Sequence, residues 1–238
     1  DFYHRYTADE HALRMIRFLE ELETKPNNFK EFSKSYRQLK SKVLLKLSTF
    51  IQPDTEKKDS RDTKEHSRVL SLATAHLDLN SKELQTIGFL VSNAYLMIET
   101  ALHDDIQQSL IVEGFAKKVG SIDKLNLLYL RSYAELRAVA PGTLTSWKKV
   151  LLTELYQRSR NYFQNPESLH SRTPTTWVEV YKILRWEFPP EDLEFHFNNI
   201  PDDYLATVKV EEAALHMRLI RSLKNKLFIF NHSYNDEG

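Results

Sequence analysis

"YAELRAVAPGTLTSWKKVLLTELY", residues 133–156, is the stretch on which the fold turns. It reads as the end of a helix, a Pro-Gly turn and a second helix, with Gly142 as the stop signal between the two. Glu135 and Arg137 stand near the end of the first helix. A Thr/Ser cluster and Trp147 open the second. Glu135 is the residue whose role is open: a carboxylate here either packs within a helical bundle or stands at a catalytic position.

Moving outward, the two helices are expected over 122–139 and 144–163, with Ser121 as the cap of the first. Upstream, a helix near 106–119 follows a fourth helix that carries Leu84, Ile87, Leu90, Val91 and Ala94. Ser81 is read as the cap of that fourth helix, although Leu84 stands where a capping box needs Glu or Gln. A third helix carries Val69, Leu70, Leu72 and Ala73. The second runs from about Phe29 to Ile51, with Phe32, Tyr36, Leu39, Val43, Leu47 and Phe50 on one stripe. The first starts at a T-x-x-E capping box, Thr7 and Glu10, and carries Leu13, Ile16, Leu19 and Leu22 until "KPNN" at 25–28 breaks it. Residues 52–67 form a charged loop that should be the most mobile internal segment over 52–65, because it has almost no apolar anchor. Downstream of Asn165-Pro166, Pro and Thr become commoner. "TTWVEVYKILRWEF", "PPEDLEFHF" and "VEEAALHMRLIRSL" read as three shorter helices, and "KLFIF" at 226–230 as the only strand run. The expected class is therefore all-α, with a helical domain over 1–163 and a smaller helical connector over 164–238.

Composition narrows the chemistry. The chain has 238 residues, 41% of them hydrophobic and 28% charged, enough for a packed core under a solvated surface. Lys+Arg and Asp+Glu are both 33, so no global field argues for nucleic acid or for an anionic membrane. The absence of cysteine removes disulfides, thiolate catalysis and Cys-based zinc sites, and it fits a reducing, cytoplasmic compartment. No apolar run approaches the roughly 20 residues that span a bilayer, and Gly-rich phosphate loops are missing. Both ends look cut, so the chain reads as an excerpt of a longer protein.

Three stretches resemble one family. "HRYTADEHALRMIRFLEEL" (4–22) is similar to the opening of the HD-type domain in bacterial PII uridylyltransferase/uridylyl-removing enzymes. "LNLLYLRSYAELRAVAPGTLTSWKKVLLTELY" (125–156) resembles the segment that ends that domain. "LEFHFNNIPDDYLATVKVEEAALHMRLI" (193–220) resembles the connector that leads on to ACT-type sensor domains. The resemblance implies a larger, bacterial, nitrogen-regulating chain. In it a nucleotidyltransferase domain attaches UMP to a PII-type signalling protein, an HD-type domain removes it, and ACT domains sense glutamine. The transferase motif pairs a Gly-Ser turn with closely spaced carboxylates. Gly120-Ser121 is the only such dipeptide here and no D-x-D follows it, so the transferase activity would lie outside this chain.

The resemblance also implies a metal site built from His and Asp ligands on several helices, whose metals lower the pKa of bound water. Read position by position, that set is degenerate. His11 matches the His of the "DEH" element. Ile51 and Gln52, in "LSTFIQPDT", stand where the His-Asp pair belongs; Asp54 is close, but Pro53 argues against a register shift. His66, in "KEHS", matches the third position. Asn93 and Ala94, in "LVSNAYLM", replace a further imidazole, and Glu135 replaces the last Asp. His11, His66 and Glu135 together would be a three-ligand set of a kind found in some zinc enzymes.

Other features carry weaker signals. His103-Asp104-Asp105 looks like a displaced HD motif, with Asp105 better read as a helix cap. The capping box leaves His4 outside the first helix, away from the face of His11. Trp147, Trp177 and Trp186 read as core or interhelix anchors. Glu211, Glu212, His216 and Arg218 read as the outer face of an amphipathic helix. Three functions follow. The leading one is a non-hydrolytic, structural or regulatory HD-like domain without a cofactor, next to transferase and ACT domains, with a PII-type protein as partner. The second is an active metal-dependent phosphohydrolase that uses a divalent ion on substituted ligands. The third is a plain helical interaction module.

Overall fold

Thirteen of the eighteen residues of the helix before the Pro-Gly turn are buried. A helix enclosed on all sides must lie at the centre of its domain, and the rest of the fold is arranged around it. The computed structural model describes residues 6–25, 29–51, 79–166, 177–189, 192–193, 195–196, 204 and 208–223. Ten helices and no strand occur among the described residues, so the chain is all-α as expected. They are α1 (Ala8–Thr24), α2 (Lys30–Gln38), α3 (Lys42–Phe50), α4 (Ser81–Ser92), α5 (Leu96–His103), α6 (Ser109–Val119), α7 (Ile122–Val139), α8 (Ser146–Gln164), α9 (Trp177–Leu184) and α10 (Val210–Leu223). The chain divides into two compact units, Asp1–Ser171 and Arg172–Gly238.

In the first unit α7 packs against α1, α2, α3, α4, α5, α6 and α8. Its start is capped as the sequence predicts, with the Lys124 amide donating to Ser121 Oγ at 3.3 Å. It stops where Ala140 turns extended and Gly142 takes φ +81°, a left-handed value open to glycine without strain. Thr145 then caps α8 by accepting from the Lys148 amide at 3.2 Å. A run of stacked rings ties three helices together: Phe32 of α2 lies on Tyr129 of α7 at 4.5 Å, and Tyr129 lies on Tyr156 of α8 at 4.3 Å. Both phenols are anchored, Tyr129 to Thr153 and Tyr156 to Asn126, each at 2.7 Å.

Several local expectations are corrected. The second helix is two helices, α2 and α3, separated by residues 39–41. The break rotates the inward face, so Leu44 and Leu45 are buried while Val43 and Phe50 of the expected stripe are 58% and 54% exposed. Thr7 occupies the N-cap of α1 but makes no side-chain cap bond, and the expected box with Glu10 does not form. Its hydroxyl serves the Asp9 carboxylate instead, which lowers that group's pKa. The fourth helix starts one residue earlier than expected. Asn80, not Ser81, is the cap, and Asn80 with Glu83 completes a full capping box. That helix ends at Ser92, and a turn at 93–95 separates it from α5. The helix expected near 106 begins at Ser109, after a turn in which Asp105 accepts from the Gln107 amide at 3.3 Å.

The second unit is built from α9 and α10. Val180, Leu184, Phe188, Leu193, Ala213, Ala214 and Met217 form its core. Glu211, Glu212, His216 and Arg218 lie exposed on the outer face of α10, as the pattern predicts. Arg218 forks onto both carboxylate oxygens of Glu187, at 2.7 and 2.6 Å. The expected third helix, the charged loop 52–65 and the run 226–230 lie outside the described residues; of the helix expected in 189–197, residues 192–193 and 195–196 are described and are helical.

Candidate functional site

The packing of α1 against α7 brings together two residues 124 positions apart in the chain: His11 Nε2 lies 2.8 Å from Glu135 Oε1. Each is only 1% exposed. Each helix contributes its residue for a local reason. His11 lies in the opening turns of α1, on the buried face that continues through Ala12, Met15, Leu19 and Leu22. Glu135 lies near the end of α7, where Tyr133, Ala134, Leu136, Ala138 and Val139 are buried around it.

The third member of the cluster is Arg131, one helical turn before Glu135 on the same helix. Its Nη1 donates to Glu135 Oε2 at 3.4 Å, and the side chain is 0% exposed. Its Nε and Nη2 make no hydrogen bond among the described residues. Burial acts to lower the guanidinium's pKa, and the Glu135 charge opposes that effect. An arginine nevertheless stays protonated in proteins, so the pocket holds a fixed positive charge. Tyr95, in the turn between α4 and α5, completes the surroundings. Burial and the Glu135 charge push its phenol well above the ordinary range, which keeps it neutral.

Among the described residues, the remaining predicted positions add no His or carboxylate to this pair. Ile51 packs with Leu44, Ile87 and Val91 in an apolar cluster. Ala94 is buried in the turn after α4. Asn93 donates its side-chain amide at 2.9 Å to the Phe89 carbonyl, which also accepts the Asn93 backbone amide at 3.0 Å, so the residue caps the end of α4. His4, Gln52, Asp54 and His66 lie outside the described residues. Among the described residues no group of three or more His, Asp or Glu side chains is placed to share a metal. The donors there do not fit the multi-ligand metal centre that the resemblance implies, since Ile51 and Ala94 have no lone pair and Glu135 already faces a cation.

The weaker candidates resolve differently. His103, Asp104 and Asp105 are exposed, and Asp105 serves the turn before α6 rather than the helix itself. Trp186 is 81% exposed with the Arg185 guanidinium 4.7 Å over its ring, so it is not a core anchor. Trp147 is half-buried, and the Trp177 side chain lies outside the described set. Arg137 is structural: it pairs with Glu21 at 3.2 Å and lies over the rings of Phe18 and Phe29 at 4.3 and 4.7 Å. Arg131 is the residue that sequence reasoning missed. The signal was there in its spacing, R-x-x-x-E along a helix, but position alone cannot tell a buried pair from a solvated one.

No protein-family model matches the chain, and no solved structure matches it. Among curated proteins it is similar to the bifunctional uridylyltransferase/uridylyl-removing enzyme of Zymomonas mobilis, at 28% identity over 237 residues, covering 95% of this chain and 25% of that protein. The enzyme of the same name from Vibrio atlanticus is 29% identical over 234 residues, 94% of this chain and 27% of that protein. That from Acinetobacter baylyi is 25% identical over 228 residues, 92% of this chain and 26% of that protein. The likeness carried by residues 4–22, 125–156 and 193–220 thus extends over nearly the whole chain. The chain spans about a quarter of the length of the curated relatives it matches.

Proposed function

We propose that the chain is the central, HD-like region of a PII uridylyltransferase-like protein, and that this region is non-hydrolytic and acts as a structural or regulatory body between other domains of the same protein. One observation carries the reading: the carboxylate at the last ligand position, Glu135, is held in a dry pocket against the guanidinium of Arg131. Hydrolysis of a phosphoester at an HD-type site requires a metal-bound water as nucleophile. The described residues offer such an ion few donors and a resident positive charge. The fold suits a mechanical role instead, since α7 touches every other described helix of its unit and transmits displacement of any one of them through a close-packed core. The adjoining domains expected from the relatives are a nucleotidyltransferase and ACT-type sensors. The partner expected is a PII-type signalling protein, and the expected compartment is the cytoplasm. No described helix is long and apolar enough to cross a membrane.

A second reading keeps one observation of its own. His11 and Glu135, both candidate ligands, are brought to 2.8 Å, as an active site would bring them. In that reading they hold a divalent ion with His66 and the region releases UMP. A phosphodiesterase assay on uridylylated PII-type protein with added Mn²⁺, paired with elemental analysis, separates the two. We expect no UMP release. Stoichiometric bound metal, with hydrolysis abolished by His11→Ala and by Glu135→Ala, would establish the second reading.

A further inference from the structure

We propose that Arg131 is the resident cation of this pocket: its guanidinium stands in for a divalent ion against Glu135 and keeps such an ion out. The inference rests on the HD-like reading above and deepens it, because it says why the site takes no metal and which residue must change for it to do so. A carboxylate in a dry interior needs a positive partner. Metal-dependent sites take that charge from solution as an ion. Here α7 supplies it covalently, four residues before the carboxylate, so the helix itself sets the spacing. Arg131 is wholly buried, and water cannot screen its charge from a second cation brought to the same oxygens. Ile51 and Ala94, at two other positions where the resemblance expects ligands, carry no side-chain donor to replace the water a divalent ion must shed. Packing alone does not account for the residue. An apolar side chain would fill the space at lower desolvation cost, but it would take from Glu135 the fixed positive charge at its Oε2.

The test compares Co²⁺ and Zn²⁺ binding to the native 238-residue chain, Arg131→Met and Arg131→Lys by calorimetry, with the Co²⁺ ligand-field spectrum as a report on coordination. Arg131→Met keeps the length and removes the charge. Its affinity for the ion should rise by roughly tenfold or more, and Glu135→Gln in the same background should abolish the gain. Arg131→Lys keeps a cation and should bind no better than the native chain. If Arg131→Met does not fold in metal-free buffer, refolding with excess Zn²⁺ is measured; rescue that requires Glu135 supports the proposal, and absence of rescue overturns it. A folded Arg131→Met chain with native affinity also overturns it. So does stoichiometric metal on the native chain that is lost in Glu135→Gln. These readouts do not depend on UMP release, so this inference can fail, as by a folded Arg131→Met chain with native affinity, while the non-hydrolytic reading stands.

Discussion

At the scale of single residues, the cluster of His11, Arg131 and Glu135 is where stability and function meet. Removing one member of a buried ion pair leaves the other uncompensated, at a typical cost of about 3–5 kcal/mol. Arg131→Leu should lie near the low end, about 3 kcal/mol, because the His11 imidazole still faces Glu135 at 2.8 Å. The double variant Arg131→Leu with Glu135→Leu should be less destabilised than the sum of the two singles, and urea denaturation of all four chains in a double-mutant cycle reads this directly. His196 gives a second prediction at this scale. Burial first, and then the nearby His216, lower its pKa from 6.5, so the folded state prefers the neutral ring. The sign follows from linkage: the unfolded chain takes up a proton as pH falls through 6.5 while the folded one resists. Stability from this group is therefore present above that pH and lost as pH falls through the lower, folded value. Denaturant titrations of the native chain and of His196→Leu on either side of pH 6.5 should show the variant losing less on acidification.

At the scale of elements, helix existence was largely legible and helix boundaries were legible only where one cap stood alone. α7 lies at its expected span because Ser121 and Pro141-Gly142 give single, unambiguous signals. α4 was misplaced by one residue because Asn80 and Ser81 are both good caps, and the deciding Glu83 has to be counted from the right one. Asn80→Ala should cost about 1 kcal/mol, whereas Ser81→Ala should be close to neutral, by thermal or urea unfolding. The split of α2 from α3 was not legible, since no proline or glycine marks residues 39–41 and the apolar spacing runs through them. Only the packing shows which residues face in. Leu45 is fully buried and Phe50 is half in water, so Leu45→Ala should cost about 2–5 kcal/mol while Phe50→Ser should cost little. A continuous helix with the expected stripe inward would reverse that order.

At the scale of the whole molecule, a metal site of the HD kind is a property of convergence rather than of any one helix. Matching residues to ligand positions identified His11 and Glu135, and the fold does bring those two together. It could not show that the Arg131–Glu135 pair, set by one helical turn of α7, is buried rather than solvated, because that burial exists only once the other helices close on α7. Building the ligand pattern of the proposed HD-like reading into this chain therefore needs more than its letters. Ile51→His places an imidazole in the apolar cluster of Leu44, Ile87 and Val91, and Ala94→His needs room at a position that is 1% exposed. Gln52→Asp lies outside the described residues and completes the pair. Overpacking and unsatisfied polar groups each cost about 1–3 kcal/mol, so the triple variant should be markedly less stable than the native chain. With Arg131 retained, it should gain little metal affinity, because the added donors still face a buried guanidinium. Adding Arg131→Met should raise Co²⁺ affinity well above that of the triple variant and recover part of the lost stability when metal is present, since an ion that binds only the folded state stabilises it by mass action. Calorimetry for affinity and thermal unfolding with and without Co²⁺, run on the triple and quadruple variants together, check this. Equal affinity in the two would mean that the guanidinium is a bystander and that missing ligands alone keep the pocket free of metal.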